Sequence, residues 1–257
     1  LIWLQLTCCF IERLFMTTTT NTTEVTSTSD KKTAKNASLP PKAEPQQILL
    51  VEVDTSLEAR LKATGMEKKF HANLQTASTY AFNGHNADLA NSFAGAPVTM
   101  IVGNDLVSAI SYARSQYGTN NPVLTNAFNR AIQDASSNKT EDAMHFAVAI
   151  QNPITKKIDH SLSFIFIDAS KVLLTPDGGM RGAVVMNHEA IHLSRSVNGK
   201  SSPSLKQEER ETYTESISRM TNVRDYLAKK TDPQSKANAA QLTKILSEEY
   251  SLLQHYK

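Results

Sequence analysis

A change of composition near residue 46 limits what this chain can fold. From Met16 to about Gln46 the sequence is made largely of Thr, Ser, Lys, Asn and Pro, with very few large apolar side chains. Such a segment cannot bury enough apolar surface to offset the entropy of ordering it. Residues 1–46 are therefore expected to form a disordered tail, and residues 47–257 one globular domain. The first fifteen residues, LIWLQLTCCFIERLF, are apolar but interrupted by Glu12 and Arg13. They lack the basic start and small-residue cleavage site of a secretory signal. They also fall well short of the roughly 20 apolar residues that a membrane span needs. Met16 is the expected natural start, which would leave residues 1–15 outside the native protein; the alternative is a short amphipathic anchor. These features predict no stable membrane insertion, and a chain that is cytoplasmic or exported by a route needing no signal peptide.

Charge narrows the partners. The chain carries 27 Lys and Arg against 25 Asp and Glu, with no basic block and no glycine-rich phosphate loop. Nothing here provides the electrostatic footprint that nucleic acid requires. The two cysteines, Cys8 and Cys9, are neighbours in the apolar leader, so the folded part has no disulfide framework and no thiolate ligand. Any metal site must use His, Asp or Glu.

Within the domain, Ile48–Val53 and Pro97–Val102 read as short strands, with Asp54, Thr55 or Ser56 able to cap the helix that follows the first. Leu57, Leu61, Phe70 and Leu74 recur at roughly helical intervals, with a break at Gly65. Helices are expected over 105–117 and 123–135. Met144–Ile150 and Leu162–Ile167 read as an antiparallel hairpin, and Thr175–Gly179 as a strong turn. Helices then follow at about 181–196, 205–229 and 233–254, with apolar positions at three- and four-residue steps. The class is α+β.

The chemistry concentrates in His188-Glu189-Ala190-Ile191-His192. Two histidines four apart on a helix project from one face and can bind one ion. Glu189, about a hundred degrees round, suits a carboxylate that takes a proton from metal-bound water. A catalytic zinc normally has three protein ligands, and the next helix offers Glu208, Glu209, Glu211 and Glu215. Glu208, Glu211 and Glu215 share a face, and Glu209 is expected to point away. His71, His85, His145, His160 and His255 lack ligand spacing and read as structural. Tyr213, near the ligand helix face, reads as packing ahead of any role in steadying an oxyanion.

The HEAIH segment followed by Glu211, with Glu215 a turn later, resembles the gluzincin metallopeptidases. The run Glu208-Glu209-Arg210-Glu211-Thr212 is similar to a stretch in compact zinc peptidases that pathogenic bacteria inject as effectors. The resemblance covers about residues 181–220. It implies a zincin-like domain with Zn2+ on His188, His192 and Glu211, and Glu189 as general base. It further implies endopeptidase action on a protein substrate, with Leu162–Ile167 as the edge strand over the cleft. The alternatives are a non-catalytic interaction protein with a chance match, and a zinc hydrolase of a non-peptide substrate.

Overall fold

The computed structural model describes residues 49–93, 98–119, 121–138, 140–151 and 158–256; the expected tail and the leader with its two cysteines lie outside them. The class is α+β, as expected. One four-stranded sheet has the order β1-β2-β4-β3, built from β1 (Leu49–Val53), β2 (Val98–Gly103), β3 (Ala143–Gln151) and β4 (Ile158–Asp168). β1, β2 and β4 run parallel, and β3 pairs antiparallel with β4. The helices are α1 (Thr55–Thr64), α2 (Glu67–Phe82), α3 (Ala87–Asn91), α4 (Leu106–Ala113), α5 (Pro122–Ser137), α6 (Gly178–Val197), α7 (Leu205–Ala228) and α8 (Pro233–His255). None is long and apolar enough to cross a membrane.

The strands read as nearly unbroken apolar runs because both faces of the sheet are covered. Along β4, Ile165 and Ile167 pack with α2 and α6, while Phe164 and Phe166 pack with α4 and α5 on the other side. The same alternation along β3 sends Met144, Phe146 and Val148 to the α4–α5 side. Ala143 and Ala147 face α6, and His145 shares their parity. A third cluster joins Met180, Ala183 and Val184 of α6 to α7 and α8.

Local chemistry fixes the ends of these elements. The Asp54 side chain accepts from Ser56 N, and Gly65 closes α1 at φ 68°, a backbone that side chains with a Cβ rarely adopt. Asp105 and Ser108 form a reciprocal cap at the start of α4. Helix α6 begins at Gly178, three residues before the sequence pattern predicts, because three glycines bring its first turns against neighbouring chain. A Cβ on Gly182 would lie 2.7 Å from Ala77 Cβ and 2.8 Å from Leu173 Cδ2.

One expectation about the sheet is corrected. Leu162–Ile167 lies within β4, which is paired on both sides, so it is not an edge strand. The strand at that edge, and the one beside α6, is β3. Periodicity finds strands but does not rank them within a sheet.

Gly182→Ala should cost about 1–3 kcal/mol, the usual range for forcing a methyl into a filled core. A thermal melt should fall by several degrees; an unchanged melting temperature would show that α2 can move away from α6.

Candidate functional site

Four residues of α6 at helical spacing, Val185, His188, Glu189 and His192, line a cleft of about 230 Å³. The segment Thr140–Ala143 with His145 forms one wall, Glu209 and Tyr213 of α7 another, and Glu249 and Leu252 of α8 the rim. The parity of β3 aims His145 at α6, where its Nδ1 lies 2.8 Å from Glu189 Oε2. Its ring stacks on His192, 4.8 Å between centroids and 14° between planes. Read in the sequence as a structural histidine, His145 instead partners the central carboxylate.

His188 Nε2 and His192 Nε2 are 3.1 Å apart. Glu209 closes the group, with one oxygen 3.4 Å from His192 Nε2 and the other 3.6 Å from His188 Nε2. At that distance either one ring donates an Nε2–H to the other, or both turn lone pairs toward one shared cation. Among the described residues His188, His192 and Glu209 form a group whose ligand atoms all lie within 4.8 Å of one another. His188 Nδ1 and Glu209 Oε1 are buried without a hydrogen-bond partner. On the far side of His192, Nδ1 is 3.2 Å from the Thr212 hydroxyl, which fixes the ring and leaves Nε2 facing the group.

The downstream carboxylates divide differently from the expectation. Glu209, expected to point away, faces the histidines and is 3% exposed. Glu211 is turned the other way, to Arg195, the Ser202 hydroxyl at 2.6 Å and Gln207 Nε2 at 2.8 Å. Glu208 accepts from Arg195 Nε at 2.8 Å and from Ser202 N at 2.5 Å, and Glu215 pairs with Arg219. The signal that finds Glu209 is the apolar stripe of α7. Stepping back from Met220 through buried Ser216 and Thr212 leads to the turn carrying Glu208 and Glu209. Tyr213 sits on the same stripe, its ring 4.4 Å from that of His188.

Electrostatics follow from these contacts. Burial alone would raise Glu209 and Glu189; the histidines beside each more than reverse it, holding both carboxyls below the ordinary range. Burial would likewise lower His192, and Glu208 and Glu209 outweigh it and raise the imidazole. Glu208 is held at about 2, burial being overcome by His192 and Arg195. Burial raises Tyr213, and the Glu249 and Glu209 carboxylates add to it, so its phenol stays protonated. Glu141, on the opposite wall, has no such support. Burial, and then the Glu189 carboxylate, push it up to about 7.

Carboxylates beside imidazoles in a cleft can hold and move protons. Residues 100–257 match the model of the family described as acyl-coenzyme A:6-aminopenicillanic acid acyl-transferase, and the chain belongs to that family. No curated protein and no solved structure matches it. The family corrects the gluzincin resemblance, and with it the zinc-endopeptidase, effector and alternative readings. The physical reason is the difference in reach. A five-residue histidine motif fixes one face of one helix, whereas the family match extends over well over half of the chain. The coarser expectation of an enzyme stands.

Glu141 also predicts a pH dependence of stability. Its folded pKa lies above the unfolded value, so the stability linked to its protonated form is complete below about 4.5 and is lost as pH rises towards about 7. Glu141→Gln should therefore melt higher than the wild type at pH 8 and level with it at pH 4. Equal melting curves at pH 8 would show that this carboxylate is well solvated.

Proposed function

We propose that the chain catalyses acyl transfer, moving an acyl group from a thioester or amide donor to an amine or to water in the cleft of α6, β3 and α7. The observation that carries this reading is the Glu189–His145 contact of 2.8 Å in the wall of that cleft. It is supported by the family to which residues 100–257 belong. No cysteine occurs after Cys9, so the matched segment has no thiolate nucleophile of its own. The acceptor is instead activated where it stands. Glu189 Oε accepts the proton of the attacking N–H or O–H. His145 keeps the carboxylate oriented and ionised, and later returns a proton to the leaving group. The protonated Tyr213 hydroxyl is a donor for the oxygen of the acyl carbonyl as negative charge collects there.

His188, His192 and Glu209 fit a divalent cation. Two imidazoles and one carboxylate are the donor set of zinc with an open position, and the buried Glu209 Oε1, which accepts no hydrogen bond, lies in the same group. Such an ion would supply Lewis-acid polarisation of the acyl carbonyl. The reading retains from the zincin-like layout only an antiparallel edge strand beside a buried two-histidine helix; peptidase activity is no part of it.

Two measurements test this. Glu189→Gln should lower turnover of acyl-CoA donors with amine acceptors, followed as released thiol, by roughly a hundredfold or more. A variant keeping most of its activity, or a wild-type protein inert to a panel of acyl-thioesters and amides, would sink the proposal. For the cation, isothermal titration of zinc into chelator-stripped protein should show Glu209→Ala binding far more weakly than wild type, and Glu211→Ala binding nearly as wild type. The reverse ranking would assign the third ligand to Glu211.

A further inference from the structure

The two histidines of α6 are held differently on the sides turned away from each other. His188 Nδ1 is buried with no hydrogen-bond partner. His192 Nδ1 faces two groups of α7, the Thr212 hydroxyl at 3.2 Å and the Glu208 carboxylate at 3.5 Å. His192, Thr212 and Glu208 are all buried, so protein groups decide where this ring carries its hydrogen. A hydroxyl can donate or accept, and Thr212 alone is compatible with either tautomer of the imidazole; a carboxylate only accepts. At 3.5 Å Glu208 acts through its charge, drawing a hydrogen on Nδ1 towards it and repelling a bare lone pair there. Both of its oxygens are fixed from behind. Oε1 accepts from Arg195 Nε at 2.8 Å, and Oε2 from Ser202 N at 2.5 Å and Arg195 Nη2 at 3.4 Å. Arg195 stands three residues past His192 on the same helix. Helix α6 thus supplies both the ring and the guanidinium that holds the carboxylate against it.

We propose that Glu208, held by Arg195, is a positioning residue that keeps the hydrogen of His192 on Nδ1 and so makes Nε2 the lone pair offered to a cation. This rests on the cation reading of the His188–His192–Glu209 group. The same assignment gives direction to the 3.1 Å contact between the rings when no ion is bound. His192 Nε2 accepts there, and His188 donates its Nε2–H. On binding an ion, the His188 hydrogen passes from Nε2 to Nδ1 of its own ring, while His192 changes nothing. His192 is therefore the pre-organised ligand, and His188 the one that adjusts.

The tautomer is read from proton–nitrogen correlation spectra of the imidazoles in full-length, metal-free protein at a pH where both rings are neutral. His192 should carry its hydrogen on Nδ1 and His188 on Nε2, with a His188→Gln variant assigning the two rings. A wild-type His192 with its hydrogen on Nε2 overturns the proposal. Glu208→Gln should mix the two tautomers of His192. In isothermal titration it should weaken zinc binding by roughly tenfold to a hundredfold, the size seen when a group behind a ligand is removed. Glu211→Gln is the control, because it takes a carboxylate from the same Arg195 but faces away from His192, and its zinc binding should stay close to that of the wild type. Equal losses in the two variants, or none in either, would make Glu208 a structural partner of Arg195 alone and overturn the proposal. If Glu208→Gln fails to fold, the wild-type spectrum still decides. A wild type that takes up no zinc while His192 keeps its Nδ1–H removes the cation reading and supports the tautomer assignment. Zinc binding by a wild type whose His192 carries Nε2–H does the reverse.

Discussion

Helix α6 is buried along most of its length, and that single constraint organises the rest of the molecule. Gly178, Gly179 and Gly182 bring its first turns close to α2 and to the Val172–Leu173 segment. Farther along, Met186, Ala190, Ile191 and Leu193 join the core beneath the sheet. A helix so enclosed can carry Glu189 and His192 only if each is met by a partner, because a buried charge left alone is costly. The partners arrive from two elements, His145 from β3, and Glu209 with Thr212 one turn beyond it from α7. The cleft is thus the place where the polar stripe of an otherwise apolar helix is satisfied, and its chemistry follows from its burial.

Much of the framework was legible in the sequence because it depends on local pattern. The Ile48–Val53 run, the break at Gly65, the hairpin around residues 144–167 and the two long C-terminal helices form within a few residues of where periodicity and turn chemistry place them. What was not legible is relational. Nothing in a run of β-branched residues says that β4 lies inside the sheet while β3 takes its edge. His145 looked isolated because its partner is 44 residues away.

The downstream carboxylates show the same limit more sharply. Spacing from His192 favoured Glu211, and spacing alone cannot tell which way α7 is rotated. The decisive pattern lay further along the helix, in Met220, Val223 and Leu227, whose buried stripe runs back to the turn of Glu209. Arg195, three residues past His192 on α6, then accounts for both Glu208 and Glu211 through ion pairs. The motif likewise placed the histidines on one helix face without fixing the family, which came from the longer match.

The packing of α2 on α6 has a consequence for where this protein can be divided. The family match begins at residue 100, yet Ala77 on α2 closes against Gly182, and Asn73 Nδ2 donates to Leu173 O at 2.7 Å across 100 residues of chain. β1, too, completes the parallel half of the sheet from outside the matched stretch. A fragment cut at the family boundary would uncover the back of the helix that carries the chemistry, although every residue of the cleft itself would remain. The matched stretch and the packed structure are therefore different lengths of this chain, and residues before 100 help give the matched part its shape.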